Sequence, residues 1–356
     1  MKKIRAAVVG AGSFGKNHVR VIDRLEDVEL AAIIDTDLAK AQQLARDHGT
    51  QAFPGISEAV GLFDAAIVAT PTITHEAITT HLLECGVDVL VEKPIADSSA
   101  AGERLARLAR ERARILQVGH LERFNPAVIA LEKALTLPLF FEVHRLSIFT
   151  PRSLDIDVVL DLMIHDLDIV LSFTGELPQE IRAAGISVLS PQVDIANVRL
   201  AFPNGCIANL TASRVSTEKV RKLRLFQPGE YISIDYHRQD AIRLAVKPAP
   251  QSENRGHSGL VSEFPQRPIS RRVPDFPTLT PPGGIDTGAI AFEPLSVTPG
   301  EPLQLELAAF FEAVRTRSAS KVDGFQATNA LRVAEAILAK IKEHTNLVSE
   351  TIRRRS

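Results

Sequence analysis

Ile4-Arg5-Ala6-Ala7-Val8-Val9-Gly10-Ala11-Gly12-Ser13-Phe14-Gly15 is the stretch whose reading decides the fold. A short, mostly apolar run reads as a buried strand. Three glycines follow at once, and then Val19, Ile22 and Leu25 recur at helical spacing. A glycine triplet alone is a weak signal, whereas strand, glycine turn and helix in succession are a dinucleotide-binding fingerprint. Gly10 permits the tight turn, Gly12 lets backbone approach a pyrophosphate, and Gly15 lets helix and strand pack closely. Ser13 and Phe14 fall in the first helical turn, whose N–H groups and partial positive charge suit phosphates.

Working outward, a second strand over 28–34 ends at Asp35. An acid there is placed to accept hydrogen bonds from an adenosine ribose diol. The next residues, Thr36 and Asp37, offer no arginine for a 2′-phosphate, so the pattern favours NAD over NADP. The plainer role for Asp35 is to cap the following helix, although Asp37 is the better placed cap. Three further strands follow over 64–70, 87–91 and 115–118, with helices between them over about 71–85 and 98–113. Alternating strands and helices imply a parallel sheet with right-handed crossovers. Ligands bind such sheets beyond the carboxyl ends of the strands. Thr70, Pro71 and His75 lie at one such end, where they would flank the cofactor, with a plain surface role for His75 as the alternative. Glu92-Lys93-Pro94 lies at the next, after the apolar run Val87-Asp88-Val89-Leu90-Val91. A lysine delivered by so apolar a strand is aimed at the cleft. A Rossmann domain is assigned to residues 1–121.

After His120 the rhythm changes. Glu122-Arg123-Phe124-Asn125-Pro126 leads into a helix over 127–135, then a strand over 139–148 and a largely apolar helix over 158–173. Strands follow near 181–188, 194–202, 206–213, 222–226, 231–236 and 242–246, with the turn Pro203-Asn204-Gly205 joining two of them. Hairpin-linked strands indicate an open, mostly antiparallel sheet in an α+β domain over 122–356. The outer face of that sheet suits pairing with a second copy, as a homodimer or homotetramer. Residues 248–299, rich in Pro, Gly and Ser, read as an insertion or long loop. Two helices, over about 303–317 and 326–343, close the chain. The second carries the apolar stripe Ala330, Val333, Ala334, Ile337 and Ile341, suited to packing back onto the first domain or its neighbour.

The helix over 158–173 carries Asp161, His165 and Asp168 among Val159, Leu160, Leu162, Ile164, Leu167 and Val170. Asp161 and His165 are four apart and share a face. Three readings are open: a satisfied buried His–Asp pair, a metal site, or a general base oriented by a carboxylate. No further Cys/His cluster completes a metal set, so no metal is assigned. A nicotinamide cofactor needs an alcohol or ketone partner and a base for its proton, and imidazole titrates in the right range. Lys93 would then hydrogen-bond the reacting oxygen.

The bulk properties fit this reading. The chain has 356 residues, 45% hydrophobic and 24% charged, which suits two soluble domains. A formal net charge of −2 argues against nucleic-acid or membrane-surface partners. Arg353-Arg354-Arg355 reads as a solvated tail. Cys85 and Cys206 lie far apart without a CxxC pattern, which suits a reducing compartment. Met1-Lys2-Lys3 runs directly into the first strand without an apolar leader, and no apolar run is long enough to span a bilayer, so a cytoplasmic location is expected.

The glycine turn, Glu92-Lys93-Pro94 and Asp161-Leu162-Met163-Ile164-His165 together resemble the Gfo/Idh/MocA family of oxidoreductases. The resemblance covers nearly the whole chain except 248–299. It implies a Rossmann domain with an open-faced α/β partner, NAD(P), and oxidation or reduction at a sugar-like hydroxyl. It also implies that Lys93 and His165 stand at the reacting carbinol with Asp161 beside them. Gly119-His120-Leu121-Glu122-Arg123-Phe124-Asn125-Pro126, with Asp166 after His165, looks like the branch that oxidises C3 of UDP-N-acetylglucosamine-type nucleotide sugars. That branch makes a 3-keto sugar for an aminotransferase in lipid A or O-antigen precursor synthesis. On that likeness His120, Arg123 and Asn125 join Lys93, Asp161 and His165 as substrate contacts, with a helix-capping role for Asn125-Pro126 as the alternative. A free-sugar or cyclitol dehydrogenase, a biliverdin-reductase-like enzyme and a non-catalytic NAD-binding regulator stay open beside it.

Overall fold

The computed structural model describes residues 3–150, 156–246 and 290–355. Strand β1 (Ile4–Val9) buries Ala6, Ala7 and Val8 completely, as a strand covered on both faces must. It pairs in parallel with β2 (Val28–Ile34) on one side and β4 (Ala65–Val68) on the other. With β3 (Gln51–Phe53), β5 (Asp88–Glu92) and β6 (Leu116–Gly119) the six-stranded order is β3-β2-β1-β4-β5-β6. The order reverses between β1 and β4, and the crevice at such a switch point is where ligands bind.

The crossover helices are α1 (Ser13–Ile22), α2 (Leu38–Asp47), α3 (His75–Glu84) and α4 (Ser99–Glu111). Their ends are set locally. Asp37 caps α2 by accepting from the Lys40 N–H, and Ser98 caps α4 by accepting from the Ala101 N–H. The fit of α1 against β1 leaves no room for a side chain at Gly15, whose Cβ would lie 1.8 Å from the Gly10 carbonyl oxygen. Gly10 itself has φ +104°, open to glycine and strained for other residues.

The second sheet has eight strands. These are β7 (Phe140–Ile148), β8 (Glu180–Ile186), β9 (Ile195–Ala201), β10 (Ile207–Ser216), β11 (Val220–Gln227), β12 (Glu230–Asp235), β13 (Asp240–Val246) and β14 (Ile290–Pro294), in the order β14-β13-β12-β11-β7-β10-β9-β8. Among the described residues only β7 and β10 pair in parallel; the other pairs of this sheet are antiparallel. Period-2 alternation turns Phe141, Val143 and Arg145 of β7 inward. Helices α5 (Pro126–Ala134) and α6 (Ile164–Thr174) pack on the inner side, and α8 (Gly324–Arg355) wedges among α4, α6 and β8. The stripe Ala330, Val333, Ala334, Ile337 and Ile341 is buried there, so α8 ties the two halves together.

Two expectations are corrected. Helix α7 (Pro302–Thr316), expected with the second domain, packs on the nucleotide-binding half. Its Leu307, Phe310, Phe311 and Val314 complete the core formed by β1, α1 and α2. An apolar stripe specifies a buried face without naming its partner, so the sequence alone did not place it. The expected insertion also ends earlier than 299, because Ile290–Pro294 pairs with β13 and Leu295 and Val297 pack on the core. Residues 248–289 lie outside the described residues.

Because Phe310 is fully buried in the core under β1, Phe310→Ala should cost about 3–5 kcal/mol. Chemical denaturation checks this, and an unchanged midpoint would remove α7 from the account of that core.

Candidate active site

The carboxyl ends of β1, β2 and β4 open into a cleft of about 540 Å³ lined by Gly10, Gly12, Asp35, Thr36, Ala69, Thr70, Pro71 and Thr74. Gly12 has only open space where a Cβ would stand, so any side chain there would intrude on the cleft. Ser13 and Phe14 are exposed beside it in the first turn of α1. The Asp35 carboxylate is pinned at the wall, accepting from the Ala11 N–H at 2.7 Å and the Asp37 N–H at 2.8 Å. Its remaining lone pairs suit a diol, and its charge repels a 2′-phosphate. A glycine cradle, a helix N-terminus and a fixed acid are the features that NAD requires, and the residues present fit it.

Lys93 leaves the end of β5 and reaches toward the second domain. Its Nζ donates to the Asp161 carbonyl oxygen at 2.9 Å and lies 4.0 Å from the Asp161 carboxylate. The receiving segment is not the uniform α-helix expected over 158–173. A π-turn, Val159–Met163, precedes α6. Such turns loosen the backbone and often mark functional sites. Burial pushes the Lys93 ammonium below its usual value, while Asp161 and Glu92 pull it upward.

His165 follows in the first turn of α6, with its Nδ1 enclosed and without a hydrogen-bond partner among the described residues. Burial comes first, and the charges of Lys93, Arg145 and Arg221 add to it, in holding the imidazole well below its usual 6.5. A neutral imidazole among cations is a proton acceptor. Of the carboxylates on this segment, Asp168 turns to Arg123 at 3.6 Å.

Under this surface lies a polar network that sequence reasoning missed. Arg145, 2% exposed, donates to both oxygens of Asp166 at 2.6 and 2.8 Å and to Glu122 at 3.0 Å. The available signal was a cation at an inward position of an alternating strand, which must find an acid inside. Arg221 of β11 stands opposite Arg145 in the register. A second buried group surrounds Glu92, whose carboxylate takes His18 at 2.7 Å. Glu306 of α7 lies nearby with neither carboxyl oxygen hydrogen-bonded among the described residues. Burial, then the Glu92 charge, holds its carboxyl well above the usual carboxylate range.

Several expected contacts are placed elsewhere. The His75 ring is buried between the carbonyl oxygens of Thr70 and Pro94, each at 2.9 Å, where it clamps the ends of β4 and β5 together rather than facing the cofactor cleft. His120 is 1% exposed and stands edge-on behind His165, with ring centroids 6.5 Å apart. Asn125 is fully engaged: its Oδ1 caps α5 through the Ala127 N–H, and its Nδ2 donates to Glu122 and to the Tyr236 carbonyl oxygen. The capping alternative therefore describes it. Arg123, buried against Asp168, lines a separate small pocket with Ser172, Gln326 and Asn329. Of these residues His120 stays beside His165, whereas Arg123 and Asn125, in and just after the turn Leu121–Phe124, are taken by partners of their own.

Two family models match the chain: an oxidoreductase family with an NAD-binding Rossmann fold over residues 4–120, and the GFO/IDH/MocA C-terminal domain over residues 142–227. The UDP-N-acetylglucosamine 3-dehydrogenase of Acidithiobacillus ferrooxidans is 37% identical over 66% of this chain and 75% of its own. Its solved structure aligns at a TM-score of 0.81 with 28% identity, over 97% of this chain and 99% of that one. The inositol 2-dehydrogenase of Corynebacterium glutamicum is 31% identical over 49% of this chain and 55% of its own. An Agrobacterium radiobacter oxidoreductase in complex with NAD+ shares the fold at a TM-score of 0.77 and 15% identity, over 96% and 97%. The glycine cradle, the lysine at the end of β5 and the second sheet thus have one common explanation: this chain belongs to the Gfo/Idh/MocA family of NAD-binding oxidoreductases.

Proposed function

We propose that the protein oxidises a sugar hydroxyl, C3 of a UDP-N-acetylglucosamine-type nucleotide sugar, to the 3-keto sugar. The observation that carries this reading is Lys93, at the carboxyl end of the strand next to one that lines the dinucleotide cleft, held on Asp161 within electrostatic range of His165. NAD, when bound, supplies the hydride acceptor. Lys93 donates a hydrogen bond to the reacting oxygen and steadies the negative charge that develops there. His165, neutral at ordinary pH, takes the hydroxyl proton. Asp161 restrains Lys93 and offers its second oxygen to a neighbouring sugar hydroxyl. The similarity to a UDP-N-acetylglucosamine 3-dehydrogenase over most of both chains supports the nucleotide sugar. A cyclitol dehydrogenase is the second reading, on the weaker similarity to an inositol 2-dehydrogenase. A keto product would suit an aminotransferase as the next enzyme. The outer face of the second sheet, where Phe140, Phe226 and Tyr231 cluster, suits a second copy of the chain.

The reading is tested by NADH absorbance near ~340 nm with UDP-N-acetylglucosamine, its uronate, myo-inositol and glucose offered in parallel. A 2-oxo acid acceptor guards against cofactor that stays bound. Turnover of myo-inositol alone would replace the nucleotide-sugar reading with the cyclitol one. Lys93→Met should lower kcat/KM by about 100-fold or more while NAD affinity stays within a few-fold; surviving turnover would remove Lys93 from the chemistry. Asp35→Ala should weaken NAD binding about tenfold and narrow the preference over NADP, as measured by fluorescence titration of both cofactors.

The depressed His165 also fixes the sign of the pH dependence. The oxidation rate should be level through neutral pH and fall only as acid protonates the imidazole, below its usual value of 6.5. An acid limb at or above that value in the kcat/KM profile would rule out His165 as the base.

A further inference from the structure

The arginine that sequence reasoning chose for the substrate's charged group is already paired: Arg123 is buried against Asp168. Arg221 is held more weakly, in a longer ion pair with a carboxylate that another arginine already occupies. Arg221 stands directly across from Arg145 on neighbouring antiparallel strands, so both side chains leave the same, inward face of the sheet. Arg145 occupies both oxygens of Asp166 and takes Glu122 at 3.0 Å. Arg221 is left 3.9 Å from that same Glu122 oxygen, beyond hydrogen-bond reach. Its Nε is enclosed without a partner, and its side chain makes no hydrogen bond among the described residues, although it is still 33% exposed. Its charge is felt at both His165 and Asp161, so it borders the site.

A guanidinium has five donors in a planar fork matched to an oxyanion. Desolvating part of that fork without supplying an acceptor is unfavourable unless a ligand completes it. We propose that Arg221 receives an oxyanion of the substrate, a phosphate of the nucleotide or a carboxylate on the sugar. This rests on the nucleotide-sugar reading above and adds the residue that distinguishes such a substrate from an uncharged polyol. A contact remote from the reacting carbon binds ground and transition states alike, so its loss falls on KM rather than kcat.

The test uses the full chain loaded with NAD, with Arg221→Gln, Arg221→Lys and, as a control, Arg224→Gln. Arg224 lies on the same strand, pairs with Glu142 at 2.9 Å and points to the opposite face. Arg221→Gln should raise KM for the nucleotide sugar about 10- to 100-fold, Arg221→Lys should recover part of it, and Arg224→Gln should change nothing. Calorimetric titration of UDP reads the same contact without turnover. UDP binding that weakens about tenfold in Arg221→Gln assigns the phosphate. A rise in KM confined to the uronate, with UDP unaffected, assigns the carboxylate. Unchanged KM for both sugars and unchanged UDP affinity in a folded Arg221→Gln would overturn the proposal. Failure of the wild-type chain to turn over any nucleotide sugar would instead overturn the function reading. In that case UDP titration alone decides on Arg221: weaker binding in Arg221→Gln upholds it, and equal or absent binding in both proteins overturns it.

Discussion

Arg145 is the constraint on which the second domain depends. A guanidinium at 2% exposure cannot be neutralised by losing its proton, so the fold must bring acids to it. Asp166 supplies both oxygens and Glu122 a third. The three residues come from three separate elements: β7, the start of α6, and the turn that leaves the Rossmann domain. Satisfying one charge therefore fixes the sheet, the helix and the domain junction relative to one another. His165 precedes Asp166 in the chain, so its position follows from its neighbour's ion pair. Removing one partner of so buried a pair commonly costs about 3–5 kcal/mol, and here it would also remove a tie between β7 and the start of α6.

A similar logic operates under the nucleotide cleft. Glu92 and Lys93 are adjacent at the end of β5, and their side chains serve opposite sides of it. Lys93 reaches the π-turn of the second domain. Glu92 turns back to His18 of α1, within reach of the Glu306 charge field from α7. Burial, with the nearby Glu92 charge added to it, holds the Glu306 carboxyl well above the usual carboxylate range. The helix that the sequence assigned to the other domain thus packs into the core of the nucleotide-binding half.

Legibility differed between the halves for a physical reason. In the first, the signals are local: strands buried on both faces are continuously apolar, Asp37 and Ser98 cap the helices that follow them, and Gly10 and Gly15 are demanded by close backbone. The meeting of Lys93 with the Asp161 segment was also legible, because a charged residue at the end of an apolar strand or on an apolar helix requires a cleft or a partner. What was not legible depended on which partner was chosen. Arg123, His120 and Asn125 are near the site in sequence, yet each side chain is taken by a neighbour or enclosed. Arg221 carried no motif and became visible only when strand register set it beside Arg145.

The charges around His165 show how these parts produce one reactive group. Lys93, Arg145 and Arg221 crowd the imidazole from one sign, while Asp161, Asp166 and Glu122 balance them within the same small volume. A site of net balance would leave a histidine near its ordinary value if it were in water. Enclosure breaks that symmetry, because burial always disfavours the imidazolium and because the acids are directed at the arginines and the lysine rather than at the ring. The neutral form is thus favoured without any group touching Nδ1. In the proposed reaction such an imidazole would take a proton from a hydroxyl brought to it under the hydrogen bond of Lys93, which would couple proton removal to the seating of the substrate.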